Sequence, residues 1–272
     1  GTDIWVCSFT PFKPIPWHRE RQTRSLSGSP QIMSLLATAI PLIIYAVAFQ
    51  TIVYLLLPIR FRPTWAPLAT SSVGAAVVVV AALWFGPTTI GLAGPDGGLL
   101  ASWGSATLVA MCTVGVVMMS RPQLRGHLAD PRMGAMSSRT AAAHILVRIP
   151  LITVVIEEAV FRGVLHAALI AVYPEPMALW GGAVLFGLWH IGPGLDQAHA
   201  NERRSMARFV HVAITVAATT AAGAFLVWLR IETGSIWVPV AVHAGVNMTL
   251  AAFARLATRP QRSLRPVLGT EY

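Results

Sequence analysis

The chain has 272 residues, of which 55% are hydrophobic and only 11% are charged. A typical soluble domain carries about 25% charged residues, so this composition excludes an ordinary water-facing surface as well as an intrinsically disordered chain. The net charge of +9 comes mostly from arginines between apolar runs, which is typical of membrane anchors, so we expect a lipid bilayer rather than nucleic acid as partner.

Seven apolar stretches predict the helices of a polytopic membrane bundle. A helix needs roughly 20 apolar residues to cross the hydrocarbon core, and most of the stretches reach that length alone. They lack the period-two alternation of barrel strands, so the predicted fold class is all-α, with about seven transmembrane helices. In chain order the stretches are Ile32–Leu57, Ala66–Phe85, Leu99–Met119, Ile149–Val172, Met177–Ile191, Phe209–Leu229 and Ile236–Leu256.

The placement of arginine between the stretches predicts the orientation of the bundle. The loops after the third and fifth stretches and the C-terminal tail are rich in arginine. The connections around Pro95 and residues 173–176 contain no Lys or Arg, and the one around Thr233 contains only Arg230, at its first position. The positive-inside rule therefore predicts a multi-pass protein of the cell (plasma) membrane with a cytoplasmic C-terminus. The arginines concerned are Arg121, Arg125, Arg132, Arg139, Arg203, Arg204, Arg208, Arg259, Arg262 and Arg265.

The N-terminal segment conflicts with a count of seven spans. Seven spans place the N-terminus outside, yet the segment before the first stretch carries Lys13 and three arginines. Because Met33 begins the first long apolar run, we interpret residues 1–31 as a basic tail that need not be native. A missed span or an ordinary fragment would explain the conflict equally. The spans before the fourth stretch are grouped as residues 32–138.

Polar residues inside the fourth stretch carry the first part of the functional argument. An ionised side chain at membrane depth costs roughly 2.5–3.5 kcal/mol on insertion scales, so intramembrane carboxylates are functional candidates. Glu158 and Arg162 are four residues apart, which permits a buried ion pair. Glu157 points about 100° away around the helix and has no local partner, which makes it a candidate general base.

Two later stretches each contribute a pair of residues separated by one helical turn. Phe186 and His190 share one face at the end of the fifth stretch. His243 and Asn247 share a face in the seventh stretch, so both side chains can converge on one ligand atom.

The order Glu-Glu-x-x-x-Arg, Phe-x-x-x-His and His-x-x-x-Asn on hydrophobic helices resembles the CPBP family of intramembrane proteases. This family comprises CAAX-prenyl-protease and bacteriocin-processing (Abi-type) enzymes, including the Ras-converting endopeptidase. The resemblance covers roughly residues 149–256, and we assign residues 139–258 to a catalytic core followed by a basic cytoplasmic tail, 259–272. It implies an endopeptidase that cleaves a membrane-associated peptide or protein.

The resemblance also implies roles for individual residues. Glu157 and His190 would activate a water molecule, and His243 and Asn247 would form the oxyanion hole. The supporting residues, which would orient this site, are Glu158, Arg162 and Phe186.

Cleavage in this family has been described both as metal-dependent and as metal-free. Glu157, His190 and His243 could ligate a zinc ion with an open position. We favour the metal-free version, because Asn247 is a natural oxyanion donor and a poor zinc ligand. The sequence has no Gly-x-Ser-x-Gly motif and no cysteine accompanying the site, which disfavours a covalent nucleophile.

Other functions remain open at this stage. The motif residues could instead form structural ion pairs and interhelical hydrogen bonds in a membrane scaffold, such as an immunity or regulatory protein on the same fold. A proton-coupled transporter is the third alternative, although no inverted repeat is evident. The sequence does not say whether the substrate is prenylated. We interpret Trp189 as an aromatic anchor near a span end, and His166 as an interface or packing residue.

Overall fold

The computed structural model describes residues 66–94, 96–201 and 204–258, together with the single helical residue Ile44. Throughout these ranges the backbone forms helices and turns, with no strand. The all-α prediction is therefore confirmed for this part of the chain. The predicted first stretch, Ile32–Leu57, lies outside the described residues apart from Ile44, as do both predicted tails.

Two long helices and two short ones precede the predicted catalytic core. Asp96 begins the second long helix by accepting a hydrogen bond from the backbone N–H of Gly98 at 2.7 Å, as expected of an N-terminal cap. Each short helix has a proline in its first turn, where a backbone N–H would have no partner within the helix, so the lack of an N–H in proline costs nothing. The four helices are α1 (Ala66–Phe85), α2 (Gly97–Ser120), α3 (Pro122–Leu128) and α4 (Pro131–Ala135).

A continuous helical rod, residues 138–172, alternates between α and π geometry. Pro150, which cannot donate a backbone hydrogen bond, lies inside the first π segment. Glu157 and Glu158 occupy a four-residue α segment between the two π segments. Because π-helical turns are rare and frequently mark functional sites, the geometry singles out this part of the rod. Its segments are α5 (Ser138–Ala143), π1 (His144–Val154), α6 (Val155–Glu158), π2 (Ala159–Leu165) and α7 (His166–Val172).

The C-terminal helices complete the bundle. The predicted fifth stretch is divided between two helices. The first helix ends at Trp189, and the second begins after His190 and includes Gly192–Gly194. The sixth and seventh stretches each form one uninterrupted helix. These helices are α8 (Glu175–Trp189), α9 (Ile191–Ala200), α10 (Ser205–Thr233) and α11 (Trp237–Thr258).

Four helical segments in the described ranges are long and apolar enough to cross a membrane. A shorter apolar helical segment, Gly74–Leu83, lies within α1. These helices make the protein a multi-pass membrane protein, but they do not confirm the predicted count of seven. The four segments are Gly97–Ser120, Glu175–Ala200, Ser205–Thr233 and Trp237–Thr258.

The helix ends sort into two groups that match the predicted alternation of loops. At one end, which we call the basic end, Arg255 near the end of α11 donates to the carbonyl of Met133 in α4 at 2.6 Å. At the opposite end, the backbone N–H of Ile236 donates to the carbonyl of Gly91 at 2.9 Å. The connection that follows α2 and the one at residues 86–94 therefore lie at different ends, while the side of the membrane that each faces stays a prediction.

Close packing between α8 and α10 depends on glycine. A Cβ atom on Gly223 would lie 3.2 Å from the ring of Phe186 and 3.3 Å from the backbone of Ala183. Small residues allow membrane helices to approach closely in this way. The contact brings the backbone of α10 next to the ring of Phe186.

Candidate active site

Glu158 and Arg162 form the predicted ion pair in the interior of the bundle. Nη1 of Arg162 donates to Oε1 of Glu158 at 3.0 Å, and both side chains are 0% exposed. The guanidinium also lies 3.9 Å from the ring centroid of Phe186 and donates to the carbonyl of Gly223 at 3.4 Å. The pair therefore ties the rod to α8 and α10, with the aromatic ring favouring the positive charge.

Glu158 has a second partner, which the sequence did not reveal. Nδ1 of His243 in α11 lies 2.7 Å from the same carboxylate oxygen that Arg162 contacts. Because an ionised carboxylate only accepts hydrogen bonds, Nδ1 of His243 carries a proton. In the neutral imidazole the lone pair is then on Nε2. The contact with Glu158 therefore fixes the tautomer of His243, as a carboxylate that accepts a hydrogen bond from a functional histidine commonly does.

The other ring nitrogen of His243 faces Glu157 and Asn247. Nε2 lies 3.9 Å from Oε2 of Glu157. It also lies 3.0 Å from Nδ2 of Asn247, whose amide donates to the lone pair. The predicted pair His243 and Asn247 thus meets the candidate base in a largely buried place, where the Glu157 side chain is 15% exposed.

Trp189 is a member of the site that the sequence analysis missed. Its indole Nε1–H donates to Oε1 of Glu157 at 3.1 Å, so this side chain contacts the candidate base. Its ring packs edge-on against Phe161, with centroids 5.9 Å apart. Since an indole nitrogen can only donate, this contact holds one oxygen of Glu157 and leaves the other facing His243. In the sequence, the only indication that Trp189 belongs to the site is its position directly before His190.

His190 lies at the junction between α8 and α9. Its Nδ1–H donates to the carbonyl of Phe186 at 2.8 Å, so Nε2 holds the lone pair of the neutral ring. Its electrostatic interactions include both Glu157 and His243. The structure therefore brings the four residues predicted to be catalytic into one region, from the rod, α8 and α11.

Phe186 lies at the centre of this group and is 2% exposed. Its ring centroid is 4.6 Å from that of His190 and 5.7 Å from that of His243, both in edge-on arrangements. With Phe161 at 5.2 Å it forms an apolar wall beside the polar side chains. Such a wall excludes water from the buried ion pair and strengthens its electrostatics.

The zinc alternative was tested against the arrangement of its three predicted ligands, Glu157, His190 and His243. In the part of the chain that the structure describes, no three His, Cys, Asp or Glu side chains form a group that could hold a metal ion. Nε2 of His243 already accepts a hydrogen bond from Asn247. As arranged, these residues do not fit a zinc site, and no step below passes through a metal.

Residues 139–249 match the family model described as type II CAAX prenyl endopeptidase Rce1-like. The match covers less than half of the chain and contains every residue of the three motifs. It confirms the resemblance seen in the sequence. No curated protein and no solved structure matches the chain.

Proposed function

From this similarity and the geometry of the site, we propose that the protein is an intramembrane endopeptidase that hydrolyses a peptide bond in a membrane-associated peptide or protein. The observation that carries the proposal is the separation of 3.9 Å between Oε2 of Glu157 and Nε2 of His243. A water molecule that donates to Oε2 of Glu157 would lie next to the ring of His243 and the amide of Asn247. The lone pairs of that water would then be free to attack a carbonyl carbon.

Glu157 is the general base in this proposal. Its carboxylate takes a proton from the water as the C–O bond forms, and it returns the proton to the leaving amine when the C–N bond breaks. A positioned base of this kind contributes about 10²–10⁴-fold to the rate. Trp189 supports the role by fixing the carboxylate, and His190 lies within electrostatic range of it.

Asn247 is the donor to the developing oxyanion. One N–H of its amide goes to Nε2 of His243, and the second N–H is available to the substrate oxygen. The sequence analysis gave His243 a donor role as well, but the neutral tautomer favoured by Glu158 makes Nε2 an acceptor. His243 would therefore position the amide of Asn247.

The remaining site residues support this chemistry. Glu158 holds His243, and Arg162 balances the charge of Glu158 while its guanidinium lies over Phe186. A buried network of this kind fixes geometry when each member has partners.

The substrate class and the cellular location are also part of the proposal. The description of the matched family makes peptides with a prenylated C-terminal region the first class to test. The arginine distribution supports a cytoplasmic C-terminus, and the plasma membrane is part of the same proposal.

Cleavage of a quenched-fluorophore peptide library by the detergent-purified full chain tests the proposal. Prenylated and unmodified peptides are compared, each with and without a chelator. We expect cleavage that survives chelation. Loss of cleavage on chelation would move the assignment to a metalloenzyme. No cleavage by the folded protein would favour the scaffold alternative, and a proton flux in liposomes that depends on Glu157 would favour the transporter.

A further inference from the structure

A second buried cation lies at the opposite end of the bundle, away from the site described above. Arg230 in α10 is 1% exposed, and its Nη2 donates to the carbonyl of Thr89 at 3.2 Å. The backbone of the loop presses against the guanidinium, since a Cβ atom on Gly91 would lie 2.5 Å from Nε of Arg230. Gly91, with φ +74°, permits this approach because it has no side chain.

Several buried nitrogens of Arg230 and His166 make no hydrogen bond with the described residues. Nε and Nη1 of Arg230 have no hydrogen-bond partner among the described residues, and neither does Nδ1 of His166. His166 is 2% exposed, so the solvent around the protein does not supply these contacts. A buried donor without a partner costs about 1–3 kcal/mol, and more when the group is charged.

His166 and Arg230 approach the same loop from two different helices. One turn before His166, a Cβ atom on Gly163 would lie 3.0 Å from the carbonyl oxygen of Ile90, next to Thr89 and Gly91. The electrostatic interactions of His166 are with Arg230 and Arg162, both of which are positive. Arg230 thus contacts residues 89–91 directly, and the helical turn before His166 packs against the same residues.

Among the described residues, no carboxylate balances the charge of Arg230. No acidic side chain among the described residues interacts electrostatically with it. Glu232 is two positions away, which is about 200° around the helix, and it is exposed. Residues 32–65 contain no Asp or Glu at all, so the predicted first stretch has no carboxylate to offer. A water molecule could accept a hydrogen bond here but would leave the charge uncompensated, and arginine does not lose its proton in proteins.

We propose that Arg230 and His166 form a binding site for a small monovalent anion, for which chloride is the probe. The anion would accept hydrogen bonds from Nη1 or Nε of Arg230 and from Nδ1 of His166. It would neutralise the guanidinium that clamps residues 89–91 onto α10. Because Glu158 already balances Arg162, this site is separate from the proposed catalytic chemistry.

Thermal unfolding of the detergent-purified full chain in different sodium salts tests this site. Chloride and bromide are compared with gluconate, a larger anion, at constant ionic strength. A ligand that binds only the folded state raises the unfolding temperature in a saturable way. We expect this rise in the wild type and in the control Arg121→Gln, whose arginine is exposed.

Two variants and a direct measurement complete the test. His166→Leu is expected to raise the halide concentration at half-effect about tenfold, the cost of one hydrogen bond to a charged group. Arg230→Gln is expected to abolish the halide effect. If Arg230→Gln does not fold, anomalous scattering from bromide bound to the wild type locates the ion directly. Equal unfolding temperatures in halide and gluconate, or a halide effect that persists unchanged in His166→Leu, would overturn the proposal.

Discussion

Oε1 of Glu158 contacts two side chains at once: Nη1 of Arg162 at 3.0 Å and Nδ1 of His243 at 2.7 Å. The second contact joins helices whose residues are 85 positions apart. One buried carboxylate oxygen therefore holds a cation in place and selects the tautomer of a histidine in the candidate site. This relationship connects the stability of the bundle to the geometry of the proposed chemistry.

Removing the guanidinium of Arg162 should lower both the stability of the bundle and the rate of cleavage. Arg162→Ala leaves Glu158 as an unpaired buried charge, which typically costs about 3–5 kcal/mol. We expect a lower unfolding temperature in detergent together with loss of cleavage. Arg121→Ala, at an exposed position, is the matched control and should change neither. An unchanged unfolding temperature in Arg162→Ala would show that the pair does not stabilise the bundle.

Trp189→Phe tests the positioning of the candidate base. The variant keeps an aromatic ring against Phe161 but loses the N–H that contacts Glu157. Because a hydrogen bond to a charged group contributes about 1.5–3 kcal/mol, we expect kcat to fall by roughly tenfold or more, with little change in KM. Trp180→Phe, on the same helix but 58% exposed, is the control. A rise in KM with kcat unchanged would instead assign Trp189 to substrate binding.

Gly223→Ala tests the close packing of α8 and α10. Its Cβ would lie 3.2 Å from the ring of Phe186, which is itself fixed by Arg162. Overpacking of this kind costs about 1–3 kcal/mol, so the unfolding temperature should fall. Gly181→Ala is a sharp comparison, because its nearest neighbour, Leu169, would be 3.8 Å away, which is an ordinary contact. Equal unfolding temperatures for the two variants would contradict the packing argument.

Asp130 gives a prediction that depends on pH. It lies between α3 and α4, outside the spanning helices, and its carboxylate contacts Nη2 of Arg132 at 2.7 Å. Burial raises the pKa of Asp130. Hydrogen bonds from Arg132 and from the backbone of Met133, together with the positive charge of Arg132, lower this pKa by more, so the net pKa lies below its ordinary value.

A folded-state pKa below the unfolded value means that ionised Asp130 stabilises the protein above about pH 4, and that this contribution is lost as the pH falls through the folded-state pKa. Asp130→Asn keeps a good helix cap and removes only the charge. We expect a loss of about 0.5–1 kcal/mol at pH 7, measured from unfolding temperatures. The difference from wild type should shrink on acidification. A difference that is constant with pH would contradict this account.

Much of the fold was predictable because its signals are local. The end of α1 at Phe85 matches the predicted end of the second stretch, and the spacing of Glu158 and Arg162 predicted their contact correctly. Apolar length and one-turn spacing are properties of a single helix. The π segments around Glu157 were not predictable in this way, since they depart from the 3.6-residue period that the analysis assumed.

The contacts that complete the site could not be read from spacing. The link between His243 and Glu158, and the one between Trp189 and Glu157, join residues on different helices. Which face of α11 or α8 meets the rod depends on packing across the whole bundle. The contact of Trp189 with Glu157 was missed because a position near a span end is also typical of an aromatic anchor.

The most direct test of the proposed function is the cleavage rate of Glu157→Gln, measured on the best peptide substrate with protein reconstituted in liposomes. Glutamine keeps the shape and one oxygen to accept the indole hydrogen bond of Trp189, but it cannot take a proton from water. Glu175→Gln, at an exposed position in α8, is the control. We predict that Glu157→Gln keeps the wild-type unfolding temperature and loses at least about 100-fold in kcat. A Glu157→Gln protein that cleaves at the wild-type rate would contradict the assignment of Glu157 as the base.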